Sequence, residues 1–94
     1  MEPREIFWSL AKDAEVRAID NRGGIGLAEC AAAIEDGRIL DEFPHPSRPN
    51  QRIFVLEINN YAYIVPYVKD GNAVFLKTMF PSRKHAARYL GVRK

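Results

Sequence analysis

The chain has 94 residues, of which 47% are hydrophobic and 28% are charged, and its formal net charge is +2. These are ordinary globular values; they exclude a disordered tail, and the length fits a single domain over residues 1–94. No apolar run approaches the roughly 18 residues of a membrane span, and no apolar segment follows a basic start, so neither a span nor a secretory signal is expected. The single cysteine, Cys30, cannot form an internal disulfide, which is typical of a cytoplasmic protein.

The first part of the chain predicts two helices. Ser9 is suited to cap a helix over residues 10–20, which Gly23-Gly24 would end. A second helix is predicted over residues 27–35, because four small or apolar residues share one face, namely Leu27, Cys30, Ala31 and Ile34. Cys30 is therefore interpreted as a buried packing residue.

The second part of the chain predicts strands. A short strand over residues 38–40 is followed by a proline-rich loop over residues 43–50. Alternating β-branched and aromatic residues then predict three strands, over residues 52–58, 61–68 and 73–80. The connection Asn59-Asn60 tolerates positive φ, as a tight hairpin requires.

The predicted registers assign two faces to this sheet. One face carries Phe54, Leu56, Ile58, Tyr61, Tyr63, Val65, Leu76 and Phe80, and the other carries Ile53, Val55, Ile64, Phe75 and Met79. Pro66 has no N–H to donate, so a bulge or an unpaired position is expected in the central strand. Ser82 and Gly91 are suited to begin and end a last helix. The predicted fold is α+β: two N-terminal helices packed on a small antiparallel sheet of three or four strands, ending in a basic C-terminal helix.

The charges divide unevenly along the chain. Residues 1–42 hold ten acids and five bases, a net charge of −5, whereas residues 43–94 hold nine bases and two acids, a net charge of +7. The last eighteen residues contain six cations and no acid, which are Lys77, Arg83, Lys84, Arg88, Arg93 and Lys94. Such a concentration of positive charge attracts phosphates. The alternative is a solvated helix face that only aids solubility.

Other residues add to the predicted nucleic-acid surface. Tyr63 and Tyr89 could stack on bases, although a tyrosine in a strand is more often packed. His85, on the basic helix, is a candidate proton carrier. The histidines have no cysteine or carboxylate at metal-ligand spacing, so no metal site is predicted.

A set of short sequence motifs, spread over most of the chain, resembles a known family. The motifs are Phe7-Trp8, Lys12, Gly24-Ile25, Glu29, Phe75-Leu76-Lys77-Thr78 and Pro81-Ser82-Arg83-Lys84-His85-Ala86. In this order they resemble the BrnT-type toxins of the RelE/ParE-like superfamily of bacterial type II toxin–antitoxin systems. In the resemblance Arg83 matches the family's arginine before the last helix, and Lys77 its basic residue near the end of the last strand. Arg52 lies where the family often has a basic residue or an acid–basic pair, and Gln51 stands in the place of the acid.

The resemblance implies a cytoplasmic endoribonuclease that cuts mRNA without a metal or other cofactor. It also implies an antitoxin partner, a small DNA-binding protein encoded beside it, with which the chain would form an oligomer. RNA would be the substrate, and no membrane would be involved.

Attack of a ribose 2′-oxygen on the adjacent phosphate needs cations and proton carriers. Arg83 and Arg88 can clamp phosphate oxygens, and Lys77 or Arg52 can add to the clamp, with Lys84 as a further RNA contact. The proton carrier stays open between His85, Glu57 and a lysine. Two other functions use the same residues: a non-catalytic nucleic-acid-binding domain, and an inactive toxin relative that regulates by binding a partner.

Overall fold

The structure, a computed structural model, describes residues 5–19 and 24–91. These residues form a mixed α/β arrangement of three short helices and a six-stranded sheet. In chain order the elements are β1 (Glu5–Trp8), α1 (Leu10–Arg17), α2 (Leu27–Glu35), β2 (Ile39–Pro44), β3 (Arg52–Ile58), β4 (Tyr61–Asp70), β5 (Ala73–Leu76), β6 (Phe80–Pro81) and α3 (Arg83–Leu90). No helix in the described part of the chain is long and apolar enough to cross a membrane.

The predicted fold is wrong in its sheet and in the placement of its helices. The strand order is β1-β5-β4-β3-β2, with β6 also paired to β4, and the helices mostly follow strands. A strand, β1, comes before the two N-terminal helices and lies parallel to β5. Four residues are too few for alternation to reveal a strand, and the partner of β1 lies near the opposite end of the chain.

The local predictions for the helices agree better with the structure. Helix α2 has its predicted bounds, and Ser9 and Ser82 cap α1 and α3 by accepting hydrogen bonds from the backbone N–H groups of Lys12 and His85. Gly91 ends α3 in the left-handed conformation, with φ of 67°. Helix α1 ends at Arg17, earlier than predicted. The glycine break at position 23 and the cations Arg93 and Lys94 lie outside the described residues.

The central hairpin has the predicted register. Asn59 and Asn60 adopt φ of 53° and 65°, and Ile58 lies opposite Tyr61. Both asparagines therefore adopt the left-handed conformation that a two-residue hairpin turn requires. This register brings the predicted face from Phe54 to Val65 together against α2.

Pro66 divides β4 into two halves with different partners. The half that begins at Tyr67 pairs with β5, and the half that contains Tyr63 and Ile64 pairs with β6. The Lys77 N–H donates to the Pro66 carbonyl at 2.9 Å, but Pro66 has no N–H for the return bond, so the ladder ends there.

The predicted strand over residues 73–80 is therefore wrong, since β5 ends at Leu76 and residues 77–79 leave the sheet. Met79 is fully buried among the residues that pack with α2, on the face opposite to the predicted one. Phe80 pairs with Ile64 in β6, on the α3 side of the sheet, and remains 40% exposed. The predicted faces of Met79 and Phe80 are both wrong, because the prediction assumed one uninterrupted strand over residues 73–80.

The two faces of the sheet are covered by different helices. One face packs with α1 and α2, through buried residues that include Val16, Leu27, Cys30, Phe54 and Leu56. The other face packs with α3, through a smaller buried cluster of Ile53, Val55, Ala62, Ile64 and Ala86. Cys30 is fully buried, which confirms its packing role, and burial raises the pKa of its thiol to about 12.

A side-chain network joins α1 to the start of α2. Asp13 accepts a 2.6 Å hydrogen bond from the Leu27 backbone N–H and forms a 2.8 Å ion pair with Arg17. Arg17 also contacts Glu29 at 2.8 Å, and Glu29 accepts from the Gly26 backbone N–H at 2.9 Å. The first turn of α2 therefore has partners for its free N–H groups.

Gly26→Ala should destabilise this junction, because the added methyl group would clash with the Asp13 carboxylate and lie 2.7 Å from the Arg17 side chain. We expect a loss of about 1–3 kcal/mol in the free energy of unfolding, measured by urea denaturation. Ala32→Ser, on the exposed side of α2, is the control and should change it by less than about 0.5 kcal/mol. Equal stability of the two variants would contradict the packing described.

Candidate functional site

Helix α3 is fixed on the sheet by its start and by one buried side chain. The Ser82 N–H donates to the Ala62 carbonyl at 3.0 Å, which anchors the helix start to β4. Ala86 is fully buried against the sheet. The cationic side chains Arg83, Lys84 and Arg88 are exposed.

His85 lies at the centre of a group that we call the α3 cluster, made of Asp41, Ser82, His85, Arg88 and Tyr89. Its Nδ1 is 2.7 Å from the Ser82 Oγ. Its ring is stacked with the rings of Tyr89 and Phe43, with centroids 6.3 Å and 6.2 Å away. The imidazole is thereby held in one orientation.

The surroundings of His85 favour the neutral ring. Burial lowers the pKa of His85, the nearby cations of Lys84 and Arg88 lower it further, and Asp41 opposes them. Ser82 already accepts the His85 backbone N–H, and its Oγ has a second lone pair for an Nδ1–H donor. In that tautomer Nε2 keeps a free lone pair, as a general base needs.

Asp41 brings a negative charge into the α3 cluster. The Tyr89 hydroxyl donates to its carboxylate at 2.5 Å, and the Glu42 N–H donates to it at 2.8 Å. These two hydrogen bonds lower the pKa of Asp41, and the same bond from Tyr89 raises the pKa of the phenol. Asp41 thus stays ionised near Arg88, and Tyr89 keeps its proton.

The basic residues of the described chain fall into two groups according to their partners. Lys12, Arg17, Arg38 and Arg52 all form ion pairs with carboxylates. No ion pair within the described residues involves the exposed cations Arg48, Lys69, Lys77, Arg83, Lys84 and Arg88. Their charge is therefore available to an anionic ligand.

Arg83 lies apart from the α3 cluster. It lines a cavity of about 640 Å³ with Tyr61, Tyr63 and Pro81. Residues five apart on a helix point about 140° from each other, so Arg83 and Arg88 face different directions. Tyr63 is only 6% exposed and Tyr61 is half-buried, so Tyr61 offers the more accessible ring.

Arg52 is held on the opposite face of the sheet. It forms a 3.2 Å ion pair with Glu42, and the Tyr67 hydroxyl donates to the same carboxylate. Burial raises the pKa of Tyr67 to about 12, and the bond to Glu42 adds to the shift. Since Arg52 lies opposite Tyr67 on the side of the sheet that packs with α2, its charge is used within the fold.

Lys77 lies in a third place, in a cavity of about 320 Å³ that His45 and Arg48 also line. This cavity and the one beside Arg83 share no lining residue. The structure therefore brings His85, Arg88 and Tyr89 together with Lys84 nearby, but it does not bring Lys77, Arg83 or Arg52 to them. No group of three potential metal-binding side chains occurs among residues 5–19 and 24–91.

Sequence reasoning missed Asp41 and Phe43, which hold the α3 cluster from β2. Both side chains reach α3 because alternate residues of a strand face the same side. The signal was the alternation of Asp41 and Phe43, but the predicted strand ended at Leu40 and placed Phe43 in a loop. β2 extends to Pro44, and a register irregularity between Ile39 and Asp41 obscures the pattern.

The lowered pKa of His85 predicts a specific loss of stability in acid. The unfolded chain binds the proton near the ordinary value of 6.5 and the folded protein only at lower pH, so stability falls as pH drops below 6.5. His85→Gln cannot be protonated and should show a smaller drop in Tm between about pH 7.5 and about pH 5.5. Ala87→Gln, at an exposed position of α3, should keep the wild-type drop. Circular dichroism melts measure both, and an equal drop in the two variants would contradict the assignment.

Comparisons with known proteins do not assign the chain to a family. No family model matches the chain, and no curated protein and no solved structure matches it significantly. The resemblance to BrnT-type toxins stays a prediction from the quoted residues.

Proposed function

We propose that the protein is a metal-independent endoribonuclease that cleaves mRNA as the toxin of a toxin–antitoxin pair. The observation that carries the proposal is the α3 cluster. It holds a histidine with a lowered pKa beside Arg88 and Lys84, two exposed cations that form no ion pair with any residue that the structure describes. A proton acceptor next to phosphate-binding cations is the combination that RNA cleavage at the 2′-oxygen requires.

In the proposed reaction the ribose 2′-hydroxyl gives its proton to Nε2 of His85. The 2′-oxygen forms a bond to the adjacent phosphorus, and the bond from phosphorus to the 5′-oxygen breaks. The products are a 2′,3′-cyclic phosphate and a 5′-hydroxyl that takes its proton from water, and the hydroxide so formed takes the proton from Nε2 of His85, which restores the neutral ring. Arg88 and Lys84, about 40° apart around the helix, stabilise the charge on the non-bridging phosphate oxygens.

The cavity beside Arg83 is proposed to hold RNA next to the α3 cluster. Arg83 contacts a phosphate, and Tyr61 offers a ring face to a base, with Tyr63 at the wall of the cavity. Stacking on an aromatic ring requires an unpaired base, so the substrate is single-stranded.

A partner that silences this activity must cover α3. Arg83, Lys84 and Arg88 favour an acidic surface, and the antitoxin implied by the resemblance would supply one. The α3 surface would then be shared between RNA and the antitoxin, which would bind in competition.

A second candidate function is a non-catalytic RNA-binding domain. The observation that favours it is Asp41, whose ionised carboxylate lies near Arg88 and repels a phosphate at that point. In this case RNA would bind with an affinity that falls with salt, and no cleavage products would form.

Cleavage can be tested with a purified chain and a single-stranded oligoribonucleotide. We expect products with 2′,3′-cyclic phosphate and 5′-hydroxyl ends, and no cleavage of the DNA of the same sequence. His85→Gln should lower kcat/KM by about 10²–10⁴, and Arg88→Ala by about 10²–10³. Lys69→Ala, an exposed cation in β4 outside the described cavities, is the charge-matched control and should cleave like the wild type. RNA binding without products would favour the second candidate.

Growth of a bacterial host provides a test in the cell. Expression of the wild-type chain alone should arrest growth and degrade mRNA, because no antitoxin is present to block the cleavage. His85→Gln and the double variant R83A/R88A should relieve the arrest at equal protein levels, whereas Lys69→Ala should not. Arrest by the His85 variant would remove that residue from the proposed mechanism.

A further inference from the structure

The cavity beside Lys77 lies where the sheet ladder ends at Pro66. Both residues line it, and residues 77–79 leave the sheet at this point. The cavity has a volume of about 320 Å³, close to the lower end of the range of about 300–1,000 Å³ for small-molecule sites. It is therefore large enough for a ligand of roughly mononucleotide size.

A short stiff loop presents Arg48 to this cavity. The His45 N–H donates to the Gln51 carbonyl at 3.0 Å, and the Gln51 N–H donates to the Arg48 carbonyl at 3.0 Å. Pro46 and Pro49 fix φ within the same loop. The backbone at Arg48 is thus held by the loop, and its side chain is exposed and without an ion-pair partner in the described structure.

His45 is oriented as a hydrogen-bond donor toward its surroundings. Its Nδ1 accepts from the backbone N–H groups of Ser47 and Arg48, at 3.1 Å and 3.2 Å. A nitrogen that accepts two N–H donors carries no proton, so Nε2 carries it. His45, which lines the cavity, therefore has a free N–H donor at Nε2.

The polar groups of the cavity suit an anion. Lys77, Arg48, His45 and Thr78 supply N–H or O–H donors, and no carboxylate lines the cavity in the described part of the chain. Lys12 also lines it but shares its charge with Glu15 at 3.1 Å. The ligand is therefore expected to carry negative charge.

An aromatic ring completes the site. Phe80 lines the same cavity and is 40% exposed, although it is a large apolar side chain in a strand. A ring face beside cations is how proteins hold the bases and phosphates of single strands.

We propose that the Lys77 cavity binds one nucleotide of single-stranded RNA, with its phosphate held by Lys77 and Arg48 and its base against Phe80. This second RNA-binding site rests on the proposed function for the identity of the ligand, but it does not require cleavage. It shares no residue with the α3 cluster or with the cavity beside Arg83, so RNA would be held at separate points on the protein.

The test measures binding of the full chain to a 2′-O-methyl oligoribonucleotide, which has no 2′-hydroxyl and cannot be cleaved. Fluorescence anisotropy gives the affinity over a series of salt concentrations. Lys77→Ala and Arg48→Ala should each reduce the slope of log affinity against log salt, and the double variant K77A/R48A should reduce it by about 0.7, the value for one lost phosphate contact on a single strand. Phe80→Ala should weaken binding about 5–100-fold with the slope unchanged, since it removes stacking and no charge.

Lys69→Ala is the charge-matched control and should keep the wild-type slope. Wild-type slopes for the Lys77 and Arg48 variants would overturn the proposal, and so would reductions no larger than that of the control. Adenosine 5′-monophosphate is the competitor that distinguishes a site for free nucleotides: Lys77-dependent binding of it without Lys77-dependent binding of RNA would also overturn the proposal. A chain that fails to cleave RNA but shows the expected slopes would contradict the endoribonuclease and leave this site supported.

Discussion

Pro66 is the residue on which the arrangement of the sheet depends. It lies inside the longest strand, and its missing N–H ends the ladder with Lys77 after a single hydrogen bond. The chain must therefore leave the sheet, and Met79 turns into the core packed with α2 while Phe80 rejoins β4 on the other side. This change of side also brings α3 onto the face opposite to α1 and α2.

Local sequence patterns predicted the features that local chemistry decides. The serine caps, the Gly91 end of α3 and the Asn59-Asn60 turn depend on a few neighbouring residues, and the structure contains all of them. The pairing of β1 with β5 and the division of β4 between two partners depend on residues far apart in the chain. No periodicity within one segment carries that information. The predicted sheet therefore had too few strands, and the placement of the helices relative to the strands was wrong.

In the candidate site, too, the sequence predicted the residue types but not which residues lie close together in the fold. The run of cations was visible in the sequence, but a charge count does not reveal which cations are already paired. Arg52 is neutralised by Glu42, and Asp41 from the acidic part of the chain lies beside His85. The prediction that Lys77 and Arg83 share one phosphate assumed that neighbours in sequence are neighbours in space, and the two residues line different cavities.

The parallel pairing of β1 with β5 also affects the order in which the protein can fold. Residues 9–72 separate β1 from its partner strand β5. Phe7, which stacks on Phe75 at 5.2 Å, has no partner until β5 has emerged from the ribosome. Such distant contacts form slowly, because a long loop must close first. During translation β1 therefore remains unpaired until β5 has been synthesised.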